Sequence, residues 1–492
     1  MKGTETNLEE LELRLSAAES FEEYSRLGME IDRLNGMEQW KADDVSPIYD
    51  WSGLKRRLEY LELLPLVGEG VHELKRQLRA GLMRNSGGIS DPRLHNICKI
   101  GTKHLIERYV KFVCDSLETL ASGDFSDFPT EEKFAYFYET RQAFGRSALC
   151  LSGGATLGLY HLGVIKVLYE NGLLPRVISG SSVGSIIASF VATRKDEELP
   201  DLFELRGINF DAFDSKGSGK RKFWRLLHEG VIMDIDKLEK MIRENVGDYT
   251  FKEAYDRTKR ILNITVASTT PYETPCLLNY LTAPNMLIWS AAAASCALTL
   301  LFKPVELMAK DRDGNIVPYT CSGLLWADGS MVTDLPMERL SELFNVNHFI
   351  VSQVNPHVVP FMWLTQNWGF IGNLLRDEIS VRMTQLCTYW ESSSVTALRQ
   401  IASIISQKYT GDITIIPDLT LDDYTRLLSN PQKDWMLDAR KRSEKKTWQQ
   451  LSHIKHRCAI ELTLDRCLRK LAKELHHSGP RSTLASLYKR YK

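Results

Sequence analysis

Two glycine-rich turns and one later aspartate have the residue types and spacing to do chemistry. The first turn, Ser152-Gly153-Gly154-Ala155-Thr156-Leu157-Gly158, follows the apolar run ALCL and precedes a helical pattern. Small residues at a strand-to-helix turn let backbone N–H groups approach a ligand closely, and such groups favour negative charge. The pattern GGxxxG is not the GxGxxG of a dinucleotide site, and Leu159 follows Gly158 where a phosphate-binding loop needs Lys and then Ser or Thr. What remains is a transient anion, such as the oxyanion of acyl transfer, with donors expected around Gly153, Gly154 and Ala155.

The second turn, Gly180-Ser181-Ser182-Val183-Gly184, spells GxSxG between the apolar run VIS and the helical run SIIASFVAT. A strand that turns sharply into a helix holds the central residue in a strained conformation, and flanking side chains would clash there, which accounts for Gly180 and Gly184. Ser182 is the nucleophile this pattern selects. Ser181 is off-centre and is expected to face the sheet or cap the helix. The serine needs a base, and Asp328 stands before a glycine in WADGSMVTDLPMERL, after an apolar run and ahead of a helix. A dyad would use Asp328 directly; a triad would run Ser, Asp, His, and His348 and His357 follow in permissible order.

These groups require a scaffold. From Ala148, the short runs ALCLS, RVISG, ILNITVAS, LLNYL and HFIVSQV alternate with helical patterns, and GDITIIP adds a late strand. The alternation predicts an α/β fold, a mostly parallel sheet with helices on both faces and functional groups at the strand ends. Upstream, Leu8, Leu11, Leu15 and Ala18 recur three and four apart, Ser20 and Glu23 form a capping box, and Leu105, Ile106, Tyr109, Val110 and Val113 share one helical face. The expected organisation is a helical N-terminal extension over 1–145, a catalytic domain over 146–360, and a mostly helical C-terminal region with a basic tail over 361–492.

The formal net charge of −1 over 492 residues gives no whole-protein preference for nucleic acid. Nine cysteines, an odd number without a CxxC pair, read as reduced thiols and show no metal-ligand spacing. The N-terminus lacks a basic segment followed by an apolar one, so an intracellular setting is expected. The longest apolar run, Met286 to Phe302, is just short of a bilayer span and half small residues; it predicts a helix buried against the sheet and, at most, peripheral membrane contact. Phe361, Trp363, Trp368 and Phe370 suit either an interfacial segment or a helix over the cleft. The basic runs at Arg440–Arg442 and Lys489–Lys492 are expected to be a solvated face.

Jointly, GGATLGLYHLGV, ISGSSVGSIIAS and DGSMVTDLPMERL resemble the patatin-like phospholipase family. With WSAAAASCAL and FIVSQVNPH they resemble its intracellular triacylglycerol lipase branch, found in yeast lipid droplets and plant oil bodies. RAGLMRNSGGISDPRL and GTKHLIERYV resemble the N-terminal domain of unknown function in that branch. The resemblance implies a patatin-like fold, a Ser182–Asp328 dyad without histidine, no cofactor or metal, and a neutral-lipid or phospholipid substrate taken at a lipid-droplet or membrane surface. It implies a triacylglycerol lipase first; the same dyad would serve a phospholipase or a lysophospholipid acyltransferase, and a non-catalytic lipid-droplet scaffold is the non-enzymatic alternative. Ala155 and Leu157 replace a glycine and a basic residue of the family's loop, so no role for that cation carries over. Thr299 and Leu300 stand where a Pro-Gly is common, which bears on acyl-chain selectivity.

Overall fold

The computed structural model describes residues 2–65, 67–211, 233–268, 276–298, 301–320, 324–329, 334–356, 358–359 and 409–478. His357, Thr299, Leu300, the aromatic segment at 361–370 and the basic run at 489–492 lie outside the described residues. The chain forms two compact units, Met1–Arg146 with Trp448–Lys492, and Ser147–Thr447.

The first unit is helical. Ser20 caps the helix Phe21–Leu34 by accepting the Glu23 N–H at 3.2 Å, while the Glu23 carboxylate takes the N–H of Glu19 in place of the expected reciprocal bond to Ser20. Along His104–Ser122 the apolar stripe Leu105, Ile106, Tyr109, Val110 and Val113 is buried, packing with Leu58, Leu74, Leu78 and Phe137. Ile460, Leu464, Cys467 and Leu471, from the long helix Lys433–Ser478, enter the same core. Glu461 of that helix accepts from Arg84 at 2.6 Å and from Arg141 at 2.8 Å, and all three side chains are buried. Removing Glu461 would take a buried carboxylate from both guanidinium groups, with Asp465 remaining on Arg141 at 2.6 Å, and breaking buried pairs in this way destabilises a fold.

Among the described residues the second unit has ten strands: β1 (Arg146–Leu151), β2 (Val177–Gly180), β3 (Ile261–Ser268), β4 (Cys276–Leu278), β5 (Val305–Glu306), β6 (Met308–Lys310), β7 (Ile316–Pro318), β8 (Leu325–Asp328), β9 (Val346–Ser352) and β10 (Ile413–Ile415). The main sheet has the order β10-β9-β1-β2-β3-β8-β5, with β4 also on β3; β6 and β7 pair separately. β1, β2 and β3 run parallel, as do β9 and β10, whereas β4 and β8 join β3 antiparallel. Ala148 through Leu151 are buried in succession, the signature of a strand covered on both faces. The helix Ile288–Cys296 is buried along its whole length, and its alanines let it pack closely on β3 and β8. Among the described residues no helix is long and apolar enough to cross a membrane.

One charged run departs from expectation. Arg440 is buried, with ion pairs to Glu204 at 2.9 Å and Glu444 at 3.0 Å, and Arg442 pairs with the buried Asp423 at 2.8 Å. Two of the three residues at 440–442 are therefore structural, because Glu204 and Asp423 from other segments, and Glu444 one helical turn on, meet them; of the three only Lys441 is exposed.

In the first unit, His95 stacks on His453 with ring centroids 4.3 Å apart, and His456 lies 5.5 Å from His95. Burial lowers the pKa of His95 to about 4 and of His453 to about 2. Both are depressed from the unfolded value, so their neutral forms support folding fully above about pH 6.5, and that support is lost as the pH falls toward 4. Thermal melts between pH 7.5 and 5 should show a falling Tm. His453→Phe, which keeps a ring against His95, should make that fall shallower.

Candidate active site

Ser182 stands at φ 51°, ψ −128°, immediately before the helix Val183–Thr193. A non-glycine residue at positive φ stores strain on the order of 1–3 kcal/mol, and here sterics impose it. An added Cβ on Gly180 would lie 2.2 Å from the Gly184 carbonyl oxygen, and one on Gly184 would lie 2.3 Å from the Leu151 oxygen. The Ser182 N–H donates to Ser295 Oγ at 3.0 Å, which ties the elbow to the buried alanine helix. Ser181 is fully buried, its N–H on the Leu151 carbonyl at 3.2 Å, whereas Ser182 is partly exposed.

Register brings Asp328 to the same edge of the sheet. Gly180 pairs with Ile264, and Val266, two residues on, pairs with Asp328; Ser182 is likewise two residues beyond Gly180. Only β3 separates the strands that carry the two groups. Gly329 lets the chain leave β8 there, since a Cβ would meet the Thr265 carbonyl carbon at 2.8 Å. Asp328 is buried and its N–H donates to Ala297 O at 3.1 Å. Ser182 and Asp328 both line a cavity of about 610 Å³ whose other walls are largely apolar, including Ile186, Leu238, Met241, Leu298 and Phe302. Cys296 also reaches this cavity, but burial, and then the charge of Asp328, raise its pKa and keep it a neutral thiol.

The first turn lies against the elbow. Gly154 is required because a Cβ would sit 2.7 Å from Val354 Cγ2, and Gly158 because one would sit 2.4 Å from the Val183 methyls. Ala155, in place of a glycine, adopts φ 49°. Gly153, Gly154 and Ala155 all line the cavity, but the Gly153 N–H donates to Asp334 Oδ1 at 3.1 Å. This corrects the expectation for Gly153: its N–H is already engaged, which leaves the N–H groups of Gly154 and Ala155 as candidate donors from this turn. Val183 supplies another candidate, because the first N–H of a helix has no intrahelical acceptor.

The triad alternative fails for His348. It is fully buried in β9 with Nδ1 on Ser147 Oγ at 2.9 Å, at the far end of β1 from the turn, roughly 15 Å away at the rise of a strand.

Four polar residues at the site had not been singled out from sequence. Besides Ser295, Asp334 is buried between the Gly153 N–H and Asn355 Nδ2, the latter donating to Oδ2 at 2.7 Å. Burial pushes its pKa up to about 6, against the lowering effect of those two donors and of the Ser181 hydroxyl. His161 sits behind the turn: its Nε2 donates to Ser152 O at 3.0 Å, so its Nδ1 accepts the Ser352 hydroxyl at 2.7 Å. Burial lowers its pKa to about 4, which keeps the ring neutral. The motif strings contained these residues, but each contact joins positions that no local period links. Among the described residues no group of His, Cys, Asp or Glu is arranged to hold a metal ion.

The family described as patatin-like phospholipase matches residues 149–340, and a domain of unknown function, DUF3336, matches residues 2–142. The chain is 36% identical to "Triacylglycerol lipase SDP1L" of Arabidopsis thaliana over 96% of its own length and 60% of that protein's. It is 38% identical to "Triacylglycerol lipase 4" of Saccharomyces cerevisiae over 92% of its own length and 52% of that protein's. With "Triacylglycerol lipase ptl3" of Schizosaccharomyces pombe it shares 34% identity over 94% of its own length and 98% of that protein's. The chain thus spans less than two thirds of the first two relatives.

Two substitutions probe the backbone. Ala155→Gly should raise stability by about 0.5–1 kcal/mol in denaturant melts, since relief of positive φ outweighs the added chain entropy. Gly184→Ala should yield either insoluble protein or a folded one that has lost its reactivity toward serine probes, because no small shift clears a backbone carbonyl at 2.3 Å.

Proposed function

Because the chain belongs to the patatin-like phospholipase family, in its triacylglycerol lipase branch, we propose that it is a serine lipid acyl hydrolase that cleaves triacylglycerol. The observation that carries this reading is the partly exposed Ser182 at positive φ, sharing an apolar-walled cavity with Asp328.

Ser182 Oγ attacks the acyl carbonyl carbon as Asp328 takes its proton. The carbonyl oxygen becomes an anion facing the N–H groups of Gly154, Ala155 and Val183, where one such donor in a water-excluded site contributes about 3–4 kcal/mol. Collapse of this intermediate breaks the ester C–O bond, and Asp328 returns the proton to the departing alcohol. Water, giving a proton to Asp328, then attacks acyl-Ser182. The second collapse releases the fatty acid, and the proton goes back to the serine. No cofactor enters this scheme. The apolar walls take the acyl chain, and the substrate comes from an intracellular lipid-droplet or membrane surface that the protein contacts peripherally.

Ser182→Ala and Asp328→Asn should each lower triolein hydrolysis by at least about 10³-fold while the protein stays folded, because each removes half of one unit. A fluorophosphonate should label the wild type and not Ser182→Ala; turnover surviving in a folded Ser182→Ala protein would overturn the assignment. On mixed emulsions of triacylglycerol and phosphatidylcholine, diacylglycerol and fatty acid should dominate. Lysophosphatidylcholine as the main product would move the substrate to phospholipid.

A further inference from the structure

The oxyanion turn cannot aim its own donors. Gly153 has no side chain, and the turn needs an anchor at the point where it meets the elbow. The position a Gly153 Cβ would occupy is 3.4 Å from Ser182 Cβ, 3.4 Å from Asn355 Oδ1 and 3.7 Å from Asp334 Oδ1. Asp334 accepts the Gly153 N–H through one oxygen and the Asn355 amide through the other. Asn355 is in turn fixed, its own N–H on Gln353 Oε1 at 3.1 Å. On its other side the turn is pinned by Ser152, whose hydroxyl accepts the Val354 N–H at 2.9 Å and donates to Gly153 O at 3.0 Å.

We infer that Asp334 is the positioning residue of the oxyanion turn: through Gly153 and Asn355 it sets where the N–H groups of Gly154 and Ala155 point, and it does so only as a carboxylate. The inference rests on the hydrolase reading above. The Gly153 N–H, the Asn355 amide and the Ser181 hydroxyl all lie on Asp334 as donors, so a proton on either oxygen takes up a lone pair that those donors use and weakens the hold on the turn. The same engagement makes Asp334 a poor competitor with Asp328 for the role of base.

The titratable groups that face Asp334 are Cys150 of β1, Tyr409, and Asp328 on the shared cavity wall. Burial raises the pKa of Cys150 and of Tyr409, so both stay neutral where the enzyme works. Asp334 itself, pushed up to about 6, gains its proton as the pH falls through that value, and turnover should fall with it.

The test uses the full chain, p-nitrophenyl butyrate as a soluble ester, and fluorophosphonate labelling from pH 5 to 9. Asp334→Leu should lower kcat by about 10²-fold with KM changed less than about twofold, because loss of aim affects the transition state alone. Asn355→Asp sets a second carboxylate against the first, so the acidic limb of kcat should move up by about one pH unit or more. Asp334→Asn should be impaired, and the exchange Asp334→Asn with Asn355→Asp, which restores a donor facing an acceptor, should recover at least about tenfold in kcat. A folded Asp334→Leu protein within about threefold of wild-type kcat overturns the inference. Should that variant fail to fold, an unmoved acidic limb in Asn355→Asp overturns it instead. Wild-type protein that is not labelled at Ser182 overturns the hydrolase reading, and this inference with it; labelled wild type with an unmoved limb overturns this inference alone.

Discussion

The site depends on a contact between two pieces of backbone. Gly184, in the first turn of the elbow helix, lies so close to the ends of β1 that an added Cβ would stand 2.3 Å from Leu151 O and 2.7 Å from Ser152 O. β1 and β2 are parallel neighbours with Leu151 opposite Gly180, so both turns leave the sheet side by side. The separation between the serine and the neighbouring N–H donors is therefore set by backbone packing, the least adjustable part of a protein. That rigidity is what electrostatic stabilisation of a short-lived anion demands.

Around this contact the polar groups are buried and paired, and burial tunes them in opposite directions. It holds His161 neutral, so that one ring nitrogen donates and the other accepts, and it lifts Asp334 toward neutrality while donors from Gly153, Asn355 and Ser181 favour its charged form. The turn is tied outward as well: Thr156 Oγ1 donates to Leu427 O at 2.8 Å, in a stretch whose Asp423 is gripped by Arg442, Trp435 and Tyr160. The cavity wall formed by Tyr424, Leu427 and Leu428 is thereby connected to the chemistry by hydrogen bonds on both sides of the turn.

What could be read from the sequence follows from which constraints are local. Glycines at 154, 158, 180 and 184 cluster within a few residues of two turns, and although Gly154, Gly158 and Gly184 make their close approaches to the remote Val354, Val183 and Leu151, the clustering leaves a pattern. The strands, the buried alanine helix and the stripe from Leu105 to Val113 show for the same reason, through their period. Asp334, Asn355, His161 and Ser295 act one at a time across gaps that no period bridges. His348 passed as a possible base because order along a chain says nothing about which end of a strand a residue occupies. The run at 440–442 looked solvated because its partners Glu204 and Asp423 are remote or lie across a turn. Gly153 had the expected residue type, but its N–H had already been claimed.

The connectivity of the two units constrains synthesis. The core of the first unit contains Leu58, Leu74 and Phe137 together with Ile460, Leu464 and Leu471, with the whole of Ser147–Thr447 between them. On a ribosome the N-terminal helices emerge first, yet they cannot close their core until nearly the last turns of the Lys433–Ser478 helix have been made. Their apolar faces must wait, exposed or held by a chaperone, for as long as the α/β unit takes to be translated. A pause or a premature stop after residue 447 would therefore leave the α/β unit with all its own residues and the helical unit without the segment that completes it.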